Sequence, residues 1–385
     1  MGGHALEESG SRHSTNLQRC RLHASFLSNR CVERIRDLSE ASHGWLSPNV
    51  DSESKRACDN FGGYLQKAMV TGAAGFIGSH LTRLLISSGV QVVGVDNLTD
   101  SYDPAEKLLR ANSLSALRNF TFHKLDVADQ GIGDLLDGVD TVFHLAGRAG
   151  VRSSFDQYPA YVHDNITATN SLINALKRAN RPTRLVYASS SSVYGNAPTP
   201  FREDFEPSPI SPYGQTKLEA EMLVLEANGG DISSVALRYF TVFGPEQRPD
   251  MGMRKFIAAA LEDVEIEIYG DGTQSRDFTY VQDIVRATFA AGERDVSGVA
   301  INVGGGSTVT LLEVMKMLSD LKGGPLRIRF GAFARGDVMH TGADLSRSAS
   351  LLGYQSQVPF FDGLAAEFHW LQERQRTDSS SAGVG

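Results

Sequence analysis

The chain has 385 residues, of which 41% are hydrophobic, and a formal net charge of −8 at neutral pH. This length is enough for a buried core and for one large or two medium domains, and the negative charge argues against nucleic acid or an acidic membrane as the main partner. No run approaches the roughly 18 consecutive apolar residues of a membrane-spanning helix, so we expect a soluble, cytoplasmic protein.

Residues 1–66 show no sustained hydrophobic period and lack the apolar core of a signal peptide. They mix Ser, Arg and His, and we expect a disordered, solvated extension. Two alternatives remain open: the arginines between residues 12 and 36 could contact a polyanion, or translation could start near Met69. The three cysteines have no metal-ligand spacing and are odd in number, so neither a zinc site nor a disulfide framework is indicated: Cys20, Cys31 and Cys58.

Residues 67–78, KAMVTGAAGFIG, have the pattern of a short apolar strand, a glycine-rich turn and the start of an apolar-periodic helix. The glycines allow a sharp exit from the strand, close approach of a pyrophosphate and close packing of helix on strand. The anion would bind to free N–H groups at the helix N-terminus. The pattern predicts a dinucleotide site at Gly72, Gly75, Phe76, Ile77 and Gly78.

A second apolar strand, residues 91–95, ends at Asp96, 18 residues after Gly78. A carboxylate at this offset binds the adenosine ribose hydroxyls and would repel a 2′-phosphate, which favours NAD over NADP. The next strand ends at Asp126, and Asp126 with Val127 suits an adenine edge. An acidic helix cap is an equally good interpretation of Asp126 alone.

Predicted strands and helices alternate from Lys67 onward, which is typical of a parallel sheet covered on both faces. We therefore predict an α/β fold, with a Rossmann-type doubly wound parallel sheet over residues 67–240 and ligands at the carboxyl ends of its strands. Beyond Thr241 the pattern becomes irregular, and we expect a smaller α/β substrate-binding domain over residues 241–376. In an alternative assignment, residues 281–303 return to the first domain. Residues 377–385 are Ser- and Gly-rich and are expected to form a disordered tail.

The segment SPYGQTK places Tyr213 and Lys217 four residues apart, on one face of a predicted helix. A free phenol, with a pKa of about 10, is a poor base, and lowering that pKa to 7 requires about 4 kcal/mol of preferential phenolate stabilisation. A nearby ammonium and an oxidised nicotinamide ring could supply this. Because a serine run at residues 189–192 follows a predicted strand, we interpret Tyr213 as a base for a hydroxyl proton.

These motifs together resemble the extended short-chain dehydrogenases/reductases, in the NAD-dependent nucleotide-sugar epimerase group. The resemblance spans about 300 residues, from Lys67 to about Arg376, and depends on the order of the motifs. In chain order they are TGAAGFIGSH, the Asp96-Asn97 pair, HLAGRAGVR, ASSSSVYG, SPYGQTK, LRYFTVFGP, QRPDM and YGDGTQSRDFTYV.

The resemblance implies Tyr213 as the catalytic base, Lys217 as the group that lowers its pKa and holds the nicotinamide ribose, and Ser190 as a hydrogen-bond partner of the reacting hydroxyl. Gly147 stands where many relatives have Ala, and we expect this only to enlarge the pocket. Further implied cofactor-lining residues are Asn97, Leu145, Ala146, Gly147 and Tyr239.

The implied reaction is oxidation of a UDP-sugar at C4 to a 4-keto intermediate, rotation of the sugar, and reduction from its other face, with no net turnover of NAD. Relatives that eliminate water or decarboxylate carry an acidic residue two positions before the tyrosine corresponding to Tyr194. This chain has Ser192 there, preceded by Ser191, which favours epimerisation.

Arg152 and residues 241–251 resemble the epimerases that act on UDP-glucuronate, whose C6 carboxylate needs a cation or convergent hydroxyls. The candidates are Arg152, Ser191, Ser192, Thr241 and Arg248, although Arg248 could instead anchor its loop. For the nucleotide, the resemblance implies Arg276 at the diphosphate, Tyr269 stacked on uracil, and Arg335 and Asp337 at phosphate and ribose, of which Asp337 is the better match.

The sequence thus predicts a homodimeric UDP-glucuronate 4-epimerase that makes UDP-galacturonate, with NAD and without a metal ion. The alternatives are a UDP-glucose or UDP-N-acetylglucosamine 4-epimerase and a UDP-glucuronate decarboxylase. A non-catalytic dinucleotide-binding protein, another alternative, would be free to lose Tyr213 or Lys217, and this chain keeps both.

Overall fold

The computed structural model of the protein describes residues 65–382, with side chains described as far as residue 377. The predictions for the N-terminal extension, including its cysteines and arginines, lie outside the described residues. Within residues 65–382, no helix has both the length and the apolar character needed to cross a bilayer.

Strands and helices alternate through the first part of the described chain. The strands are β1 (Lys67–Thr71), β2 (Gln91–Asp96), β3 (Phe120–Lys124), β4 (Thr141–His144), β5 (Thr183–Ser190), β6 (Ile232–Tyr239), β7 (Thr241–Phe243), β8 (Ile266–Tyr269), β9 (Ser275–Tyr280), β10 (Val299–Val303), β11 (Thr308–Thr310) and β12 (Ile328–Gly331). The α-helices are α1 (Phe76–Ser87), α2 (Pro104–Ser115), α3 (Tyr158–Tyr161), α4 (Ala168–Ala179), α5 (Pro212–Glu226), α6 (Gly252–Leu261), α7 (Val281–Glu293), α8 (Leu311–Lys322), α9 (Ser346–Leu352) and α10 (Phe360–Ala382).

The main sheet has seven strands in the order β10-β6-β5-β4-β1-β2-β3, and every neighbouring pair is parallel. Met69 and Val70, adjacent in β1, are both fully buried and belong to different hydrophobic clusters. Because successive side chains of a strand point to opposite faces, helices cover the sheet on both sides. The predicted doubly wound α/β fold is confirmed.

Local sequence explains where the helices next to the site begin. Asp103 caps α2 by accepting a hydrogen bond from the N–H of Ala105, and Pro104 follows it. Ser211 caps α5 in the same way, accepting from Gly214 at 3.1 Å, and Pro212 takes the first helical position. Such caps satisfy N–H groups that a helix start leaves free.

A smaller group of elements surrounds a third hydrophobic cluster. Strands β11, β9 and β7 form a three-stranded sheet, and β12 pairs with β8. The cluster includes Phe243, Ile257, Phe278, Leu318 and Phe368, from β7, α6, β9, α8 and α10. Strand β10 lies in the main sheet beside β6. The boundary between two domains near residue 240 stays a prediction.

The last helix differs from the expectation for the C-terminus. Helix α10 extends to Ala382, through most of the segment for which disorder is predicted from residue 377. Buried Leu364, Phe368 and Leu371 anchor its earlier turns. Once these turns are packed, each added residue costs little, so the polar end continues as helix despite its composition.

Candidate active site

A cleft lies at the carboxyl ends of β1 to β4. Its lining includes twelve of the residues predicted to bind the cofactor: Gly72, Gly75, Phe76, Ile77, Gly78, Asp96, Asn97, Asp126, Val127, Leu145, Ala146 and Gly147. The structure therefore brings together residues that span more than 70 positions of sequence, because parallel strands all end at this edge of the sheet.

The turn between β1 and α1 has no room for a side chain at Gly72 or Gly78. Gly72 has a positive φ of 72°, and a Cβ at Gly72 would lie 2.9 Å from the N atom of Ala146. A Cβ at Gly78 would lie 2.0 Å from the carbonyl oxygen of Gly72. That carbonyl accepts a hydrogen bond from the N–H of Gly75 at 2.9 Å. This close-packed turn at a helix N-terminus fits a pyrophosphate group.

The acidic residues of the cleft are held by short-range bonds. Asp96 accepts hydrogen bonds from the N–H groups of Ala74 at 3.2 Å and Leu98 at 2.9 Å. Burial raises the pKa of Asp96, and the nearby Lys107 opposes that rise. Asn97 donates to Asp126 at 2.7 Å, and Asp126 also accepts from the N–H of Ala128. Both interpretations of Asp126 thus remain compatible with its position.

Tyr213 lies in the first turn of α5, next to the end of β5. Ser190, at that strand end, is near enough to the Tyr213 hydroxyl to act on its pKa, and the Ser190 hydroxyl accepts a hydrogen bond from the N–H of Ser192 at 3.1 Å. The Tyr161 ring contacts Tyr213 edge-on, with centroids 6.2 Å apart. The predicted serine and tyrosine are therefore close enough to act on one hydroxyl group.

Lys217 lies one turn after Tyr213, with its Nζ 4.4 Å from the ring centroid of Tyr187. Burial lowers the pKa of Lys217 to about 7, and Glu221 opposes the change. Burial also raises the pKa of Tyr213, and the nearby Ser190 acts in the opposite direction. The expected lowering of the Tyr213 pKa is therefore absent from the chain alone, because desolvation outweighs the attraction of nearby cations.

Gly147 does more than enlarge the cleft, so that expectation is wrong. A Cβ at Gly147 would lie 2.7 Å from Oδ1 of Asn165. The same oxygen accepts from the N–H of Arg148 at 2.8 Å, and the Asn165 amide donates to Thr216 at 2.9 Å. Glycine at position 147 therefore leaves space for Asn165, which in turn ties the loop after β4 to α5.

Sequence reasoning missed Asn165, although a signal was present. Asn165 is 1% exposed and lies in a π-helical segment, Val162–Thr167, between α3 and α4. A polar residue on the apolar side of a predicted helix is unusual and needs a partner. The π-helical turn often occurs at functional sites.

Tyr239 does not line the cleft with its side chain, contrary to the prediction. Its hydroxyl is hydrogen-bonded to Thr288 of α7 at 2.6 Å, and its ring belongs to a hydrophobic cluster of the main sheet. Tyr239 is the register partner of Ser190, so it is near the site through its backbone. Alternation of side chains along β6 directs the ring towards α7.

Three residues predicted to bind substrate are in contact with each other. The Arg152 guanidinium carbon lies 4.0 Å from the ring centroid of Tyr269, and Arg152 pairs with Asp337 at 3.1 Å. Arg276 is near enough to interact electrostatically with both Arg152 and Asp337. Arg335 instead lies over the Phe155 ring, at 4.2 Å. The structure thus groups Arg152 with the predicted nucleotide residues.

Arg248 lies in the lining of the cofactor cleft, within electrostatic reach of Tyr213. It pairs with Asp250 at 2.7 Å and lies 5.1 Å from the ring centroid of Tyr102. These contacts match the loop-anchoring interpretation of Arg248. Ser191 and Ser192 are in the 3₁₀ helix after β5, and Thr241 is in β7.

The NAD dependent epimerase/dehydratase family matches the chain over residues 68–304. A UDP-glucuronate 4-epimerase of Thermodesulfobacterium geofontis is 39% identical over 313 residues, which cover 79% of this chain and 96% of the relative. The crystal structure of UDP-glucuronic acid 4-epimerase from Bacillus cereus, in complex with UDP-glucuronic acid and NAD, has a TM-score of 0.77 and 39% identity. That match covers 80% of this chain and all of the other. MoeE5, solved with NAD and either UDP-glucose or UDP-glucuronic acid, has a TM-score of 0.73 and 41% identity, covering 80% of this chain and 99% of MoeE5.

Proposed function

Because the chain belongs to the NAD dependent epimerase/dehydratase family, we propose that it is an isomerase that interconverts UDP-glucuronate and UDP-galacturonate. The observation that carries this proposal is the placement of Ser190, at the end of β5, beside Tyr213, in the first turn of α5, next to the glycine-lined cleft. The two complexes of similar proteins with NAD and UDP-glucuronic acid support it.

NAD is the cofactor, and when bound it supplies reversible oxidation at C4 of the sugar, so that a 4-keto sugar can form and be reduced again. The turn from Gly72 to Gly78 would hold its pyrophosphate. Asp96 would bind the adenosine ribose, and Lys217 the ribose of the nicotinamide.

Tyr213 moves the proton in this mechanism. As a phenolate it accepts the proton of the C4 hydroxyl, and as a phenol it returns a proton to the ketone oxygen. Ser190 donates to or accepts from the same oxygen and so fixes its position. Because burial raises the Tyr213 pKa, the phenolate depends on positive charge from protonated Lys217 in the loaded site.

The carboxylate of the sugar is assigned to the hydroxyl groups of Ser191, Ser192 and Thr241. Arg248 could join them by leaving Asp250. Position 192 holds Ser in place of the acidic residue of relatives that eliminate water or decarboxylate, so return of the 4-keto sugar to a 4-hydroxyl is favoured. The nucleotide is assigned to Arg152, Tyr269, Arg276, Arg335 and Asp337.

We propose a cytoplasmic homodimer as the assembly. Tyr158, in α3, is 41% exposed and Met222, in α5, is 52% exposed, although both are apolar. A dimer formed through these helices would cover them. Light scattering of the purified protein checks this: twice the chain mass of 41.7 kDa is expected, and a monomer would contradict it.

The function is tested by incubating the full chain with UDP-glucuronate and NAD and separating the products. We expect UDP-galacturonate. UDP-xylose would identify a decarboxylase, and turnover of UDP-glucose or UDP-N-acetylglucosamine alone would identify a neutral-sugar epimerase.

The role of Tyr213 is tested with Tyr213→Phe, which should lower kcat by about 10²-fold or more and leave NAD bound. Tyr158→Phe is the matched control, because Tyr158 is not among the residues that line the cleft and the change keeps the ring that the proposed dimer would cover. Wild-type kcat in Tyr213→Phe would remove Tyr213 from the mechanism.

A further inference from the structure

Glu221 lies in α5, one helical turn after Lys217 and two turns after Tyr213. It is only 2% exposed, and both of its carboxylate oxygens accept hydrogen bonds. Arg238 of β6 donates to it from Nε at 3.1 Å and from Nη2 at 2.6 Å, and Ser189 of β5 donates at 2.5 Å. Ser189 immediately precedes Ser190, so one carboxylate connects the helix of Tyr213 to the strand end that carries its partner.

The same network continues towards the edge of the sheet. Arg238, itself 4% exposed, donates from Nη1 to the Tyr194 hydroxyl at 2.8 Å. Tyr194 donates to the Asn302 side chain in β10 at 2.7 Å. A buried network of this kind stabilises the fold only when every polar group in it has a hydrogen-bond partner. The bonds then fix the positions of the elements that they join.

The titratable groups facing Lys217 come from three elements. Tyr187 of β5 and His144 of β4 are both fully buried, and Tyr213 and Glu221 belong to the same helix as Lys217. Burial lowers the pKa of His144 to about 3 and raises the pKa of Tyr187 well above its ordinary value, so both are neutral. Glu221 is therefore the negatively charged group among the residues that face Lys217.

We propose that Glu221 is a positioning residue for the epimerase: it fixes α5 against β5 and β6 and supplies the negative charge that keeps the Lys217 ammonium protonated. This inference rests on the proposed function of Lys217 and Tyr213. The Arg238 guanidinium partly neutralises Glu221, so the charge that Lys217 experiences is set by the balance within the Glu221–Arg238 pair.

The two members of the pair must therefore act in opposite directions on Lys217. Glu221→Gln removes an attraction and leaves the Arg238 cation, so the Lys217 pKa falls. Arg238→Gln leaves the Glu221 anion unneutralised, so the Lys217 pKa rises. If the pair only held the fold together, both substitutions would lower stability and activity, and they would not shift the Lys217 pKa in opposite directions.

The experiment measures the pH profile of kcat for UDP-glucuronate in the full chain with NAD. The limb at high pH, where Lys217 loses its proton, should move down by about one pH unit in Glu221→Gln and up by about one unit in Arg238→Gln. The double variant Glu221→Gln/Arg238→Gln removes both charges and should return this limb close to its wild-type position. Glu219→Gln is the matched control. Glu219 lies on the same helix, and its side chain accepts a hydrogen bond from Gln215 at 3.1 Å, outside the Glu221–Arg238 network.

A second measurement does not depend on turnover. The rate at which acetic anhydride acetylates Lys217, followed by mass spectrometry at each pH, reports the pKa of its amine, and the same opposite shifts are expected. Shifts of the same sign in the two single variants, or no shift in either, would overturn the inference. If the wild-type chain does not convert a UDP-sugar, the proposed function fails, whereas the acetylation profiles still decide whether Glu221 controls Lys217.

Discussion

Gly78→Ala tests whether close packing of α1 against the β1–α1 turn is needed for binding of the cofactor. The added Cβ would lie 2.0 Å from the carbonyl oxygen of Gly72, 2.8 Å from its carbonyl carbon and 3.1 Å from Cα of Ala73. Normal C···O contacts are about 3.3 Å or longer, so turn and helix must separate by about 1 Å. All three neighbouring atoms are backbone, so no side chain can rotate away.

This separation strains the bonds that shape the turn. Gly75 donates to Gly72 O at 2.9 Å, and Gly72 donates to Val95 O at 2.7 Å. Overpacking of this kind costs about 1–3 kcal/mol in free energy of unfolding. Because the same turn is assigned to the pyrophosphate, and 1.4 kcal/mol corresponds to tenfold in affinity, we expect the Kd for NAD to rise by about tenfold or more.

Calorimetric titration with NAD and urea unfolding of the full chain measure both effects. Gly324→Ala is the control, because nothing lies within 4 Å of a Cβ at Gly324 and its φ is not positive. That variant should match the wild-type chain in NAD affinity. A Gly78→Ala protein with the wild-type Kd for NAD and the wild-type stability would refute the argument from close packing.

Two further predictions concern buried carboxyl groups. Glu106, 7% exposed, pairs with Arg254 at 2.6 Å and with Arg110 at 3.2 Å. Glu106→Gln should lower the free energy of unfolding in urea by about 3–5 kcal/mol, because it removes the carboxylate that pairs with the buried Arg254. The exposed Glu265→Gln should cost less than about 1 kcal/mol, and equal costs would contradict the prediction. Burial raises the pKa of Glu367 to about 8. Between the ordinary carboxyl pKa and pH 8, the folded chain therefore holds a proton that the unfolded chain has released. The free energy of unfolding falls as pH rises through this range. Glu367→Gln should therefore stabilise the protein at pH 8 by about 4 kcal/mol and have little effect near pH 4.5, whereas an equal effect at both pH values would show that Glu367 is charged.

The parts of the site that sequence could predict depend on local spacing. The glycine turn, Asp96 at the end of β2, and Tyr213 with Lys217 each need only a short segment and one regular element to be placed. The alternation of strands and helices then brings the strand ends together at one edge of the sheet. For this reason the cofactor-lining residues from Gly72 to Gly147 lie in one cleft.

The contacts that sequence did not show concern side chains that can meet more than one partner. Arg152 lies on Tyr269, more than 100 positions away, and Arg248 is held by Asp250 beside the cofactor cleft. A long, charged side chain can reach several partners, and sequence does not show which partner it meets. Tyr239 was misplaced because strand alternation decides its face, and Gly147 because its neighbour Asn165 lies in an irregular helical turn.

The pKa of Tyr213 could not be predicted from the sequence for a different reason. The positions of Tyr213 and Lys217 follow from sequence, but the sign of the pKa change depends on how completely the fold removes water from both groups. Desolvation disfavours the charged form of each, so the pKa of Tyr213 rises while that of Lys217 falls to about 7, and the two values move apart. That balance is a property of packing and cannot be obtained from spacing.

The position of β10 beside β6 affects how the chain must assemble. Strand β6 carries Arg238, whose bonds hold Glu221, yet one edge of β6 gains its neighbour only when residues 299–303 are present. During synthesis on the ribosome, about 60 residues therefore separate the appearance of β6 from that of the strand that covers its open edge. An unpaired edge of a hydrophobic strand is prone to join other chains, so nascent protein that stops before β10 is expected to be the form most liable to aggregate.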